Sequence, residues 1–265
     1  MADNPYRAVE SDVPGTIGWR IHYYNEVVST QAVAAEMAEA GGAHGTAVIA
    51  ETQSAGRGRA GRSWHSPTGV NLYLTVILRP GAQTGPLGRI GVAAGVAAAE
   101  ALERVAAGIV ALKWPNDVWL NGKKAGGILA EAWADSRRES FVVLLGIGLN
   151  LNLSHADVPG ELHGRATSVL IETGRRCDRI EVARALLYRL QSRYMETVGG
   201  RFDLVRRAWE GYSALTGRTV TVVAGSERET GIARGIDADG ALLLERDGTT
   251  VRIMAGDVSV EGAYT

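Results

Sequence analysis

The sequence predicts an α+β protein made of a mixed β-sheet domain with packing helices and a smaller SH3-like β-barrel at the C-terminal end. Two observations predict this division. Up to about residue 212, apolar strands alternate with stretches whose apolar residues recur every three or four positions, as in helices that pack on a sheet. Beyond that point, roughly fifty residues contain five short strand patterns joined by glycine-containing turns. We therefore expect a disordered polar leader over residues 1–15, a larger domain over 16–212 and a β-barrel over 213–265.

The individual elements follow from the same patterns in chain order. Ser29 or Thr30 can cap a helix that stops at Gly41-Gly42, and Asn121-Gly122 predicts a tight hairpin turn. Further helices are expected over 87–107, 180–198 and 202–212. Strands of the larger domain are expected over 17–26, 46–51, 70–78, 109–113, 118–120, 127–133 and 141–153, and strands of the barrel over 218–223, 229–237, 241–246, 249–254 and 258–261.

The composition limits the classes of function. With 265 residues and 46% hydrophobic content the chain can bury a full core, and a formal charge of −1 gives no general attraction to DNA or anionic membranes. A single cysteine, Cys177, excludes an internal disulfide bond and suits a reducing compartment. Residues 1–15 do not resemble a signal peptide, and the apolar runs are short for a bilayer. We expect a cytoplasmic protein with neither membrane nor DNA as partner.

Lysine is rare in this chain and occurs only at Lys113, Lys123 and Lys124, among 28 basic residues. Lysine provides a compact, rotatable ammonium, whereas arginine is a wide planar fork. Lys113 stands between an apolar run and the segment Trp114-Pro115-Asn116-Asp117. This position predicts a point charge at the end of a buried strand, where it can hold an anion. For Lys123 and Lys124, a solvated hairpin is an equally good interpretation.

A loop with the sequence Gly-Arg-Gly-Arg-Ala-Gly-Arg, residues 56–62, directly follows a predicted strand. Its glycines leave backbone N–H groups free to turn toward an anion, and its arginines add forked donors that match phosphate. The loop lacks the Lys-Ser/Thr pair of a P-loop and does not open a helix as a dinucleotide fingerprint does. A solvated tip and an RNA-binding segment remain alternatives. We expect the loop to be disordered when empty and to close on a ligand.

Two glycine-rich strand segments complete the candidate site. Gly126 and Gly127 lie in one of them and allow a ligand to approach the main chain closely. The other, Gly-Ile-Gly-Leu-Asn-Leu-Asn at residues 146–152, carries amides that can hydrogen-bond a purine or a ureido group. The five histidines show no metal-binding spacing, so no protein-held metal is expected.

These segments, taken in order, resemble those of biotin protein ligases. Residues 56–62 resemble the family's G-R-G-R-x-G-R adenylate loop, 113–117 its K-W-P-N-D segment, 124–129 its K-x-[AG]-G-I-L strand and 166–170 its A-T-S-L segment. The resemblance runs from about Tyr24 to the C-terminus. It implies the biotin/lipoate ligase fold, which is like that of class II aminoacyl-tRNA synthetases.

The resemblance implies a two-step reaction with ATP and biotin as substrates and Mg²⁺ arriving with ATP. Biotin's carboxylate attacks the α-phosphorus, which gives biotinyl-5′-AMP and pyrophosphate. A lysine of the biotin carboxyl carrier protein, a part of acetyl-CoA carboxylase, then displaces AMP. Both steps need negative charge to be neutralised and water to be kept from a labile mixed anhydride.

The resemblance also implies residue roles, with Lys113 as the principal electrostatic catalyst and Arg59 as a second catalytic residue. Gln31 stands where the family usually has Asn, and the Ala125-Gly126 pair is smaller than usual. The implied biotin contacts are Ser29, Thr30, Gln31, Gln53, Arg57, Gly58, Arg59, Lys113, Gly126 and Gly127, and the implied nucleotide contacts are Arg57, Arg62, Asn116 and Asn150.

Several alternatives stand beside these roles. Helix capping alone explains Ser29 and Thr30, and Trp114 and Trp119 are typical core aromatics. A lipoate ligase or octanoyl transferase shares the fold, although the arginine loop favours biotin. Some biotin ligases carry an N-terminal DNA-binding domain, but only about sixteen residues precede the first strand here. We expect a monofunctional ligase that is a monomer or a weak homodimer.

Overall fold

A computed structural model describes residues 4–81, 85–135 and 140–260. In these residues the strands form two sheets, and α-helices connect or cover them. The helices are α1 (Arg7–Asp12), α2 (Thr30–Glu39), α3 (Gly88–Leu102), α4 (Val169–Thr173), α5 (Arg179–Val198) and α6 (Phe202–Tyr212). The strands are β1 (Arg20–Val27), β2 (Thr46–Gln53), β3 (Leu72–Leu78), β4 (Val110–Lys113), β5 (Asp117–Leu120), β6 (Lys123–Asp135), β7 (Ser140–Leu149), β8 (Thr219–Ala224), β9 (Glu227–Ile236), β10 (Leu242–Arg246), β11 (Thr249–Ile253) and β12 (Asp257–Val260).

The larger sheet has seven strands in the order β1-β2-β3-β7-β6-β5-β4. β1 and β2 run parallel, and the other neighbours are antiparallel, so the sheet is mixed. The smaller sheet is antiparallel with the order β11-β10-β9-β8-β12. The predicted α+β class is therefore confirmed.

Helices cover both faces of the seven-stranded sheet because successive strand residues point to opposite sides. On β3, Ile77 packs with Ala34 and Ala38 of α2, whereas Val76 belongs to the main core that includes α3, α5 and α6. Many of the buried residues of α3 are alanines, such as Ala97. Small side chains of this kind let the helix lie close to the sheet.

The expectation of a disordered leader is wrong for residues 4–15. Residues 7–12 form α1, and Tyr6, Val9 and Val13 are buried in the main core. Their spacing of three and four places these side chains on one face of the short helix, and the polar residues between them hide the pattern in the sequence. Residues 1–3 lie outside the described residues, as does Glu261 at the end of the last predicted strand.

The second sheet contacts the first domain close to the end of β4. Trp114 is buried, and its Nε1 donates a hydrogen bond to the Gly240 carbonyl oxygen at 3.0 Å. Arg89 of α3 pairs with Asp239 at 3.1 Å. Trp114 is thus a core aromatic, and β12 comes to lie beside the strands that carry the candidate site. Within the described part of the chain, no helix is both long and apolar enough to cross a membrane.

Candidate active site

A cavity of about 640 Å³ opens where the N-terminus of α2, the loop after β2, the middle strands of the large sheet and β12 meet. It gathers segments that are far apart in the sequence. Of the residues predicted to form the site, those that line the cavity are Ser29, Thr30, Gln31, Gln53, Arg57, Gly58, Arg59, Arg62, Lys113, Asn116, Gly127 and Asn150.

One end of the cavity is neutral and polar. The backbone N–H and the hydroxyl of Thr30 both donate to Gln53 Oε1, at 2.9 and 3.1 Å. Thr75 Oγ1 donates to Thr30 Oγ1 at 2.9 Å, and Gln53 Nε2 donates to Ser66 Oγ at 2.9 Å. Ser29 is the N-cap of α2, since its side chain accepts from the Gln31 backbone N–H. Ser29 therefore caps the helix and also lines the cavity.

Gln31 extends across the polar end and is 3% exposed. Its Nε2 donates to Glu131 Oε2 at 2.9 Å and to the Leu144 carbonyl oxygen at 3.4 Å. Its Oε1 accepts from Thr75 Oγ1 at 3.2 Å. A Cβ at Gly146 would lie 2.7 Å from that same Oε1, so a larger residue there would displace the Gln31 amide.

The arginine loop folds back on itself as a tight hairpin. The Gly58 N–H donates to the Arg62 carbonyl oxygen at 2.7 Å, and the Trp64 N–H donates to the Gly56 carbonyl oxygen at 2.8 Å. Ala60 and Gly61 close the turn with φ values of 54° and 73°, in the left-handed region. The described loop is folded, and its expected ordering by ligand stays a prediction.

Each loop arginine contacts a different part of the molecule, so the loop is tied to β6, to the segment after β4 and to β12. The hydrogen-bonded pairs are Arg57 with Glu131 at 3.0 Å, Arg59 with Asn116 at 3.0 Å and Arg62 with Asp257 at 2.9 Å. Asn116 itself is oriented because its Nδ2 donates to the Ile128 carbonyl oxygen at 2.9 Å.

Two ammonium groups line the cavity, where the sequence analysis singled out one. Lys113 Nζ lies 5.1 Å from the centre of the Trp119 ring, and burial lowers its pKa, against an opposing effect of the Asp117 carboxylate. Lys124 Nζ lies 2.6 Å from Asp117 Oδ1. The hairpin interpretation fits Lys123, which does not line the cavity, and does not fit Lys124.

Trp64 forms an apolar wall that the sequence analysis missed. Its ring lies over two glycines: a Cβ at Gly148 would come within 2.6 Å of the ring and a Cβ at Gly127 within 3.1 Å. Lys124 Nζ lies 5.5 Å from the ring centre. The signal in the sequence was the glycines on two neighbouring strands, which leave room for one large aromatic side chain.

One predicted residue is placed differently from what the sequence suggested, and a second has its side-chain amide already bonded. Gly126 does not line the cavity, because alternate residues of β6 face opposite sides and the space beside Gly126 belongs to Leu149, 2.8 Å from a would-be Cβ. Asn150 lines the cavity, but its Nδ2 donates to the Thr167 carbonyl oxygen at 3.0 Å. Among the described residues no cluster of three metal-binding side chains occurs.

Comparisons with known proteins match both parts of the chain. Residues 24–150 match the Biotin/lipoate A/B protein ligase family, and residues 216–260 match the Biotin protein ligase C terminal domain. These ranges contain the arginine loop, both cavity lysines and β12.

Relatives resemble the chain over most of its length. It is 34% identical over 244 residues to the bifunctional ligase/repressor BirA of Bacillus subtilis (strain 168), covering 92% of this chain and 75% of that protein. It is 36% identical over 243 residues to the biotin--[acetyl-CoA-carboxylase] ligase of Paracoccus denitrificans, covering 88% and 98%. The solved structure of biotin protein ligase from Aquifex aeolicus in complex with biotin and ATP matches with a TM-score of 0.78 at 30% identity, covering 91% and 98%. The chain belongs to the biotin protein ligase family.

Proposed function

We propose that this protein uses ATP to activate biotin as biotinyl-5′-AMP and then transfers biotin to a lysine of a biotin carboxyl carrier protein, part of acetyl-CoA carboxylase. One observation supports this most strongly. A single cavity joins a neutral polar end around Thr30 and Gln31 to a cationic end formed by the loop arginines and two lysines. This arrangement, with a neutral end and a cationic end, matches a biotin molecule whose ureido ring lies at the neutral end and whose carboxylate points toward a nucleotide at the cationic end.

The polar end suits the ureido ring of biotin. Thr30, Gln31 and Gln53 present hydroxyl and amide groups, which can both donate and accept hydrogen bonds. The wall made by Trp64 over Gly127 and Gly148 offers apolar contact for the sulfur ring and the aliphatic chain. The carboxylate of a bound biotin would then lie toward the ammonium groups.

The cationic end suits the activation step. A carboxylate oxygen of biotin forms a bond to the α-phosphorus of ATP while the bond to the leaving pyrophosphate breaks. Negative charge grows on the phosphoryl oxygens, and cations that the fold holds beside them stabilise it. We assign this role to Lys113, with Arg59 and Lys124 beside it, and the nucleotide side to Arg57, Arg62, Asn116 and Asn150.

The transfer step uses the same groups. The uncharged amine of the carrier's lysine attacks the acyl carbon, the bond to the phosphate oxygen breaks, AMP leaves and the amine loses a proton. Magnesium enters as part of the MgATP substrate. The nearby carboxylates of Asp117 and Asp257 already pair with Lys124 and Arg62, which leaves the phosphates as the main ligands of that ion.

Lipoate is the competing substrate, since the matched family includes lipoate ligases. The dithiolane ring of lipoate has no N–H group or carbonyl oxygen. It could form no hydrogen bond of its own with Thr30, Gln31 or Gln53, whereas the ureido group of biotin can both donate and accept there. The polar end of the cavity therefore favours biotin.

Labelling of a purified carrier domain tests the proposal. The domain is incubated with the protein, ATP and Mg²⁺, and with biotin, lipoate or octanoate in parallel, and its mass is measured. We expect one biotinyl group on one lysine, and only when biotin and ATP are both present. Lipoyl or octanoyl transfer at a comparable rate would contradict the assignment. We place the reaction in the cytoplasm. We also expect the protein to be a monomer or a weak homodimer, and sedimentation with and without biotin and ATP would measure its oligomeric state.

A further inference from the structure

Glu131 lies between the arginine loop and the polar end of the cavity and contacts both. Its Oε1 accepts from Arg57 Nη2 at 3.0 Å, and its Oε2 accepts from Gln31 Nε2 at 2.9 Å. The two contacts join residues 74 and 100 positions away in the sequence. One carboxylate thus connects the loop to Gln31, a buried side chain that lines the cavity.

The strand geometry explains why Glu131 can do this without lining the cavity. Residues 127, 129 and 131 of β6 point to the same face of the sheet, and Gly127 and Leu129 line the cavity there. Glu131 is the next residue on that face. It pairs in register with Leu144, whose carbonyl oxygen also accepts from Gln31 Nε2 at 3.4 Å. Glu131 therefore lies at the rim, beyond the groups that would touch a ligand.

The length of Gln31 makes the connection possible. Its Oε1 is held by Thr75 at 3.2 Å, while its Nε2 faces two acceptors, Glu131 and the Leu144 carbonyl oxygen. Both acceptors require the nitrogen on that side, which fixes the orientation of the amide. An asparagine at this position is one methylene shorter and would fall short of Glu131.

We propose that Glu131 is a positioning residue that couples occupancy of the polar pocket to closure of the arginine loop. The inference deepens the proposed function and rests on it for the identity of the ligand. A ligand that fixes Gln31 also fixes the carboxylate that receives Arg57. Because such coupling is reciprocal, closure of the loop in turn favours the Gln31 orientation that binds the ligand.

The expected size of the effect is modest. The Arg57 side chain is 54% exposed and that of Glu131 is 35% exposed, and exposed ion pairs contribute at most about 1 kcal/mol, roughly a fivefold change in an equilibrium. The hydrogen bond to buried Gln31 fixes the position of the carboxylate but adds little more to the free energy of loop closure. A loss of the connection should therefore open the loop about fivefold more often.

A first experiment needs no substrate. Limited trypsin cleavage within the loop is compared among wild type, Glu131→Gln, Gln31→Asn and the control Glu245→Gln, which removes an exposed pair with Arg234 on the second sheet. All four keep Arg57, Arg59 and Arg62 as cleavage sites. We expect up to about fivefold faster cleavage in Glu131→Gln, a smaller increase in Gln31→Asn, which leaves Arg57 paired with Glu131, and no change in the control. Equal rates in all four would overturn the connection even if the protein proves to act on another substrate.

A second experiment tests the coupling in the reaction. The rate at which preformed adenylate escapes is measured for Glu131→Gln, Arg57→Gln and the double variant, after biotin-dependent pyrophosphate release has been established in wild type. We expect Glu131→Gln to raise escape up to about fivefold, Arg57→Gln to raise it at least as much because it also loses a contact to the nucleotide, and the double change to be no worse than Arg57→Gln alone. A double change that multiplies the two single effects would show that Glu131 does not act through Arg57. Absence of biotin-dependent pyrophosphate release in wild type would refute the proposed function and leave the cleavage experiment as the test of Glu131.

Discussion

Lys113 and Trp119 are diagonal neighbours on the β4–β5 hairpin, with the ammonium 5.1 Å from the centre of the indole ring. Burial is the largest effect that lowers the pKa of Lys113, so it disfavours the charged ammonium. The contact with the indole ring favours the ammonium. A charge kept in such a place contributes little to stability and is available to stabilise an anion.

Lys113→Arg should fold normally and lose adenylate formation by on the order of a hundredfold, because a planar fork cannot replace a compact ammonium beside Trp119. Single-turnover pyrophosphate release measures the loss. Lys123→Arg is the matched control, since Lys123 pairs with Glu172 at 3.4 Å outside the cavity and should keep its rate. Near-normal pyrophosphate release by Lys113→Arg would show that Lys113 is not the principal electrostatic catalyst. If only Lys124→Arg lost activity, that role would belong to Lys124.

The pH dependence of kcat/KM for adenylation should report the lowered pKa of Lys113 in the free protein. The charged form is the active one, so the rate is retained at low pH and falls as the pH rises through a value below the ordinary lysine pKa of about 10.4. Lys113→Arg stays charged throughout, so its slower rate should lack this alkaline limb. An identical limb in wild type and variant would assign the titration to another group.

Gly148→Ala should damage the cavity wall, because the added Cβ would lie 2.6 Å from the Trp64 ring. We expect weaker binding of biotin, by tenfold or more, measured by calorimetry. Gly91→Ala is the matched control: Gly91 lies in α3, and its Cβ would meet nothing within 4 Å. That change should leave binding intact and raise the unfolding free energy by up to about 1 kcal/mol. Unchanged biotin affinity in Gly148→Ala would place Trp64 away from the ligand.

His44 should make the protein less stable in acid. Burial, with a smaller contribution from Arg79, lowers the pKa of His44, and its Nδ1 accepts from the Arg79 backbone N–H at 2.9 Å. The unfolded chain, with a histidine pKa of about 6.5, binds the proton more readily, so this contribution is present above that pH and is lost as the pH falls below it. Urea unfolding at several pH values would detect the loss. His44→Gln, which cannot titrate, should show a shallower decline, and an equally steep one would contradict the assignment.

Biotin together with ATP should protect the loop against trypsin at Arg57, Arg59 and Arg62. Three exposed or half-exposed contacts tie the loop down, and each is weak enough for the loop to open without ligand. A bound triphosphate would add charge-assisted bonds to the same guanidinium groups. Digestion followed by mass spectrometry measures the protection. Cleavage that is unaffected by the two substrates would argue against closure over them.

The sequence allowed most of the fold to be predicted, because apolar runs and turn residues are local signals. The bounds of α2, α5 and α6 and the Asn121-Gly122 hairpin follow from such signals. α1 was missed, because three apolar residues spread over eight positions give too short a pattern. α4, only five residues long, was missed as well.

The candidate site was predictable where one segment carries its own chemistry, as in the loop over 56–62 and the segment after β4. It was not predictable where the role depends on contacts between distant strands. Glu131 meets Arg57 across 74 positions, and Trp64 is placed by glycines on β6 and β7. Gly126 was assigned to the cavity because the sequence did not reveal which of two neighbouring glycines faces inward.

Biotin-dependent exchange of labelled pyrophosphate into ATP is the decisive measurement of whether this protein activates biotin at Lys113. It isolates the first chemical step, needs no carrier protein and is run with biotin, lipoate and octanoate in parallel. The account predicts exchange with biotin alone, lost by on the order of a hundredfold in Lys113→Arg and retained in Lys123→Arg. Exchange that proceeds equally well with lipoate, or that does not need any of the three acids, would contradict it.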